Sequence, residues 1–200
     1  MKDLGDREEV EKALAELGRQ MVLRDADPVT ILCCGASVLC FLGLISRRTL
    51  DVDAIAMIDA KGDAIEMEEF APEMTAAIRA AGLSLGLIPD WFNISASAVL
   101  SRGLPPGAME RSAAQSREFG PCLTVLFMDR IDLVALKMYA ALDPREGRRH
   151  AADLVEIDPT RDELRHGAKW MEAWPSSPAF KQALLRLLEG FDAADILAGD

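Results

Sequence analysis

The stretch that decides the fold is ILCCGASVLCFLGLISRRTLDVDAI, residues 31–55. Its apolar beginning predicts a buried strand, and the small residues that follow predict the start of a short apolar helix. A basic turn then leads into a second strand that opens with Asp51 and Asp53. Because these two residues are two apart on a strand, their carboxylates share one face. Unpaired N–H groups in the first helical turn favour an anion, so the stretch predicts a phosphate cradle beside a divalent metal site.

Hydrophobic periodicity divides the rest of the chain into an α/β (α+β) core over residues 1–130 and a C-terminal helical bundle, docked on that core, over residues 131–200. Helices are predicted over residues 7–23, 37–45, 66–81, 131–142, 145–157, 160–174 and 178–191. Strands are predicted over residues 29–34, 51–58, 85–88 and 123–128. The strand over 29–34 is apolar on both faces, which predicts a central place in the sheet.

Composition limits the function classes. The 200 residues are 28% charged and 50% hydrophobic, with a formal net charge of −11. This charge argues against a broad nucleic-acid-binding surface, which would need clustered Lys and Arg. The sequence has neither a membrane-spanning apolar run nor a signal peptide, so we expect a cytoplasmic protein that does not enter a membrane. The four cysteines lack zinc-site spacing, and small buried core residues are expected.

The deciding stretch resembles the signature of the polymerase-beta-like nucleotidyltransferase superfamily. The resemblance rests on Gly35-Ala36-Ser37, a short helix, Arg48-Thr49 and then Asp51-Val52-Asp53-Ala54. Within the superfamily the chain is most similar to the bacterial abortive-infection toxin type and its relatives. Those proteins carry a later apolar helix with a lysine, matched here by residues 133–140, and an Arg…Asp-Leu helix, matched by residues 149–154. The resemblance therefore spans residues 29–157.

This resemblance implies a mixed sheet flanked by helices, with the Asp-x-Asp strand beside the glycine-turn strand. It also implies transfer of a nucleotidyl group from a nucleoside triphosphate to an acceptor hydroxyl, with Mg²⁺ held by the catalytic carboxylates of Asp51 and Asp53. The residues expected to bind the triphosphate are Gly35, Ala36, Ser37, Arg48, Thr49 and Lys137, with Asp153 as a further candidate.

The resemblance leaves the acceptor open: a small molecule, a protein or a transfer RNA. It also leaves open a rival role as the toxin of a toxin–antitoxin or abortive-infection system, with an antitoxin as partner. The alternative is a binding or regulatory protein that keeps the fold without the chemistry. Two departures from the family pattern favour this alternative: Ala36 stands where Gly or Ser is common, and the sequence places no third metal carboxylate, although Asp90 and Asp129 lie at element edges.

Several of these residues also have structural interpretations. Lys137 lies in an apolar helix, where a lysine either contacts a ligand or extends its amine to solvent. Arg149 and Asp153 are four apart on a helix, which is typical of a surface ion pair. We expect His150 and His166 to face solvent or to cap helices. The tryptophans are expected to pack in the core or between helices.

Overall fold

The computed structural model describes residues 2–198. Its contacts divide the chain into two compact units, which meet in sequence between Asp129 and Arg130, one residue before the predicted boundary. The first unit contains every strand of the described chain and the second is helical. The predicted mixed α/β (α+β) fold class is confirmed.

One open mixed sheet organises the first unit. Its strands are β1 (Val29–Cys34), β2 (Val52–Ile58), β3 (Ala64–Ile65), β4 (Phe92–Asn93), β5 (Ser116–Glu118) and β6 (Leu123–Phe127). The order is β3-β2-β1-β6-β5, and β4 also pairs with β2, in parallel. β1 runs antiparallel to β2 and parallel to β6, so it occupies the predicted central position.

The helices of the first unit are α1 (Arg7–Val22), α2 (Gly35–Phe41), α3 (Pro72–Leu85) and α4 (Ala108–Ala113), with a 3₁₀ turn at Ser97–Arg102. α1 buries one face, as its apolar spacing predicts. α2 follows β1 without a loop, and its Phe41 ring stacks on the Phe127 ring of β6 at a centroid distance of 4.0 Å. This stacking holds the short helix on the end of the central strands. α2 was predicted over residues 37–45; it starts earlier and ends earlier, before Gly43 at φ +69°.

The prediction of a helix over residues 66–81 was wrong at both ends. α3 begins at Pro72, because a residue before proline disfavours helical backbone, and Ala71 is accordingly extended at φ −53° and ψ 148°. Upstream, the Met67 N–H donates to the buried hydroxyl of Ser97 at 3.0 Å instead of joining a helix. α3 runs on to Leu85 and ends at Gly86 in the left-handed region. The strand predicted over 85–88 is therefore absent, since its first residue ends α3 and the others follow without strand pairing.

The second unit consists of α5 (Arg130–Ala141), α6 (Gly147–Ile157), α7 (Arg161–Glu172) and α8 (Pro178–Glu189), followed by a 3₁₀ turn at Ala194–Ala198. The predicted capping box is present: Thr160 and Glu163 exchange side-chain and backbone hydrogen bonds at the start of α7. α5 packs against α6 and α7. Trp170 and Trp174 pack edge to face at 4.6 Å, which confirms the expected packing role for this pair.

No helix within residues 2–198 is both long enough and apolar enough to cross a membrane.

Candidate metal and phosphate site

The turn between β1 and α2 lies directly against the carboxylate of Asp53. Cys34, the last residue of β1, is in register with Asp53 on β2. Gly35 follows with φ +82°, and a Cβ atom at this position would overlap the Asp53 Oδ2 atom. Glycine is therefore required at this position for two reasons: the backbone is left-handed, and the carboxylate lies where a side chain would be. The fold thus brings the predicted phosphate turn and the second predicted metal carboxylate into contact.

Thr49 fixes the other carboxylate. Its Oγ1 donates to Asp51 Oδ1 at 2.8 Å, and Thr49 itself is only 2% exposed. The backbone of Thr49 exchanges two hydrogen bonds with Leu4, at 2.7 and 2.8 Å, so the N-terminal segment anchors this threonine. The hydroxyl predicted to bind phosphate therefore orients a predicted metal ligand in this structure.

Ser37 places a buried hydroxyl two residues beyond Gly35. Its side chain is fully buried, and its Oγ has no hydrogen-bond partner among the described residues. A buried hydroxyl left unpaired costs free energy, and the hydroxyl of Ser112 is buried and unpaired in the same way. Ala36, which precedes it, is buried as a small residue and adds no polar atom.

Burial also sets the state of the neighbouring thiol. Cys33 lies inside the sheet with no exposed surface. Desolvation raises the pKa of its thiol far above the ordinary value, and the negative charge of Asp53 raises it further. The thiol therefore remains protonated and does not act as a nucleophile. The expectation of buried core cysteines is confirmed for Cys33, Cys34 and Cys40, whereas Cys122 is partly exposed.

Arg48 forms an ion pair with Glu9, which lies 39 residues away in the sequence. Its guanidinium donates to both carboxylate oxygens of Glu9 on α1, at 2.8 and 3.0 Å. Burial alone would raise the pKa of Glu9, but the hydrogen bond from the Gly5 N–H and the hydrogen bonds and positive charge of Arg48 together lower it. The Arg48 side chain is 57% exposed. Its predicted contact with phosphate stays a prediction, and it would require this ion pair to open or to be shared.

Lys137 and Asp153 lie in the second unit and bind each other. Lys137 Nζ on α5 donates to Asp153 Oδ2 on α6 at 2.7 Å, with side chains 7% and 1% exposed. Lys137 therefore does not extend to solvent, and Asp153 is not part of a surface pair with Arg149. The two residues are 16 positions apart and lie on different helices, so the i, i+4 spacing within one helix could not predict this pair.

The expectation that His150 and His166 face solvent or cap helices was wrong. His150 Nδ1 lies 3.4 Å from Lys137 Nζ, and His166 Nε2 lies 3.1 Å from the fully buried Asp132. Both rings thus contact charged groups inside the helical unit. Burial lowers the pKa of His150, and the positive charge of Lys137 lowers it further, so the ring is neutral near pH 7.

The oxygen donors fit a hard divalent cation, although a third carboxylate is missing. Asp51 and Asp53 supply carboxylates, and the carboxylate of Asp53 lies against the backbone of Gly35, where a Cβ atom would overlap it. Within residues 2–198, no group of three or more His, Cys, Asp or Glu side chains is placed to hold a metal. Of the two acids noted at element edges, Asp129 accepts a hydrogen bond from Gln115 at 2.7 Å, and Asp90 lies exposed in the turn before β4.

Comparison of the chain with family models, with curated proteins and with solved structures finds no match. The resemblance to nucleotidyltransferases therefore depends on the motif residues themselves and on their arrangement.

Proposed function

We propose that this chain is a metal-dependent nucleotidyltransferase that moves a nucleoside monophosphate from a nucleoside triphosphate to an acceptor hydroxyl. The observation that carries the proposal is the contact between Gly35 and the Asp53 carboxylate, because it joins the two halves of the motif. The interval between them is 18 residues, and the return of the chain through α2 to β2 brings its ends together. Mg²⁺, when bound, would offset the negative charge that develops as pyrophosphate leaves.

The residues of the chain would bind the cation and the phosphates. Asp51 and Asp53 would hold the cation, and Thr49 would keep Asp51 oriented through its 2.8 Å hydrogen bond. The backbone from Gly35 to Ser37 would receive the phosphates. Positioning and electrostatics of this kind supply most of the catalysis in phosphoryl and nucleotidyl transfer.

A transfer assay tests the proposal. The protein is incubated with Mg²⁺ and triphosphates labelled at the α-phosphate, and labelled product is followed in the presence of cell extract as a source of acceptors. The double variant Asp51→Asn, Asp53→Asn should abolish labelling while the far-ultraviolet circular dichroism stays unchanged. The matched control is Asp59→Asn on the turn after β2, which should transfer normally. Transfer that survives the double change would contradict the assignment.

A second candidate function is a binding or regulatory module that keeps the fold without the chemistry. The lack of a three-carboxylate cluster among the described residues favours it. The engagement of Arg48 by Glu9 favours it as well, because this cation is already paired. Calorimetric titration with Mg·ATP, Mg·CTP and Mg·GTP separates the candidates: failure to bind any triphosphate favours the module, and binding followed by transfer excludes it.

A further inference from the structure

The sheet identifies the side chains that lie beside Asp53. On one side, β1 places Cys34 in register with Asp53. On the other side, the parallel pairing of β4 with β2 places Asn93 in register with Asp53. Residues in register on neighbouring strands project their side chains from the same face. The carboxylate of Asp53 therefore has a thiol on one flank and a carboxamide on the other.

Of these two neighbours, Asn93 has the chemistry of a ligand for a hard cation. Mg²⁺ and Ca²⁺ take oxygen donors, including the side-chain carbonyl of asparagine, whereas a thiol suits softer metals. Cys34 is 3% exposed, while Asn93 is partly exposed at the end of its short strand. Asn93 is also the only asparagine in the chain.

The amide of Asn93 is held in one orientation. Its Oδ1 accepts a hydrogen bond from the Ser95 N–H at 2.8 Å, and its Nδ2 lies 3.5 Å from the carbonyl oxygen of Asp90. An amide oxygen has two lone pairs, so Oδ1 retains acceptor capacity after the bond from Ser95. The turn thus fixes a carbonyl oxygen on the face that Asp53 occupies.

We infer that Asn93 is a third, neutral oxygen donor of the metal site, acting beside Asp51 and Asp53. This inference rests on the proposed function, because it extends the same site. With Asn93 as the third donor, the ligands carry two negative charges, whereas a third carboxylate would bring the total to three. The number of charged ligands is one of the properties that set the affinity of a site for a divalent cation. The site is therefore built to hold its cation weakly until a triphosphate adds further negative oxygens.

Direct binding of Mn²⁺, measured by the loss of the free-ion electron paramagnetic resonance signal, tests the inference without any transfer reaction. Asn93→Asp keeps the shape of the side chain and an oxygen for the Ser95 N–H, and it adds one charge. We expect it to tighten Mn²⁺ binding about tenfold. Asn93→Ala, which removes the oxygen, should weaken binding. Ala98→Asp, an exposed position on the following 3₁₀ turn, adds the same charge as a control and should leave binding within about twofold of wild type.

The outcomes separate this inference from the proposed function. If Asp53→Asn abolishes Mn²⁺ binding but both Asn93 variants bind as wild type does, the metal site stands and the role of Asn93 is overturned. If wild type does not bind and Asn93→Asp does, Asn93 lies in the site as inferred, and the wild-type site is too weak alone. If neither binds, the proposed metal site and the inference both fail.

Discussion

Gly35 is the residue at which the fold and the candidate site depend on each other. Its φ of +82° and the Asp53 carboxylate beside it both exclude a side chain. Gly35→Ala should lower the free energy of unfolding by about 2–4 kcal/mol, since it adds backbone strain and displaces a carboxylate. Urea denaturation measures this loss.

Gly43 supplies the matched control for that substitution. It has φ +69°, but a Cβ atom there would meet nothing within 4 Å. Gly43→Ala should cost only about 1 kcal/mol, from the backbone alone. Equal losses in the two variants would show that Asp53 does not press against residue 35.

The buried pair of Lys137 and Asp153 gives a second test at the residue scale. Lys137→Met should destabilise the protein by about 3–5 kcal/mol, because it leaves a carboxylate buried without its cation. The double variant Lys137→Met, Asp153→Leu should recover most of this loss, since an apolar pair replaces a charged one. Thermal and urea unfolding of the single and double variants measure the coupling. Additive losses would contradict the pairing.

At the scale of single elements, the close approach of α1 to the chain before β6 overrides helix propensity. Gly18 lies inside α1, and a Cβ atom there would overlap the carbonyl oxygen of Phe119. In an isolated helix, Gly→Ala stabilises by about 1 kcal/mol. Here Gly18→Ala should instead destabilise by about 1–2 kcal/mol through overpacking. An increase in unfolding free energy would show that the contact adjusts without cost.

The helical unit should lose stability in mild acid. Burial and the positive charge of Lys137 lower the pKa of His150, whereas the unfolded chain has an ordinary value near 6.5. Other charges near the ring are Asp153 and Glu146, which oppose the shift, and Arg149, which adds to it. Because the unfolded state binds the extra proton, unfolding free energy falls as pH drops below about 6.5.

His150→Gln should flatten this part of the pH dependence. Unfolding free energy measured by urea denaturation between pH 7.5 and about 5 would fall less in the variant than in wild type, because its side chain takes up no proton. A slope that is the same in both proteins would assign the pH dependence to other groups.

The elements that the sequence predicted correctly are those with local signals. The capping box of Thr160 and Glu163 can be recognised from four consecutive residues, and its hydrogen bonds are present. The central strand β1 follows from an apolar run on both faces. The error at α3 was also local: Met67 and Phe70 extend an apolar helical spacing, but Pro72 sets the true start of the helix.

What the sequence could not predict depends on contacts between distant residues. The pairing of Arg48 with Glu9 spans 39 positions, and that of Lys137 with Asp153 spans 16. The position of Asn93 beside Asp53 depends on β4, a strand of two residues without a periodic signal. In contrast, Gly35 and Asp53 were predicted to lie together through the resemblance, and the structure places them in contact.

At the scale of the whole molecule, the chain carries a net charge of −11, while the proposed site would bind a triphosphate, which is also negatively charged. A bound cation is then needed to bring a triphosphate to Asp51 and Asp53, because the carboxylates alone would repel it. We therefore expect metal binding and nucleotide binding to depend on each other. The same negative charge argues against a broad basic surface for nucleic acid.

The most direct test of this account is a crystal structure of the protein with Mn²⁺ and a non-hydrolysable nucleoside triphosphate, recorded at a wavelength that reveals anomalous scattering from manganese. We expect an anomalous peak about 2 Å from carboxylate oxygens of both Asp51 and Asp53. The phosphates should lie on the backbone of Gly35 to Ser37. A triphosphate bound elsewhere, or manganese away from these two aspartates, would contradict the assignment.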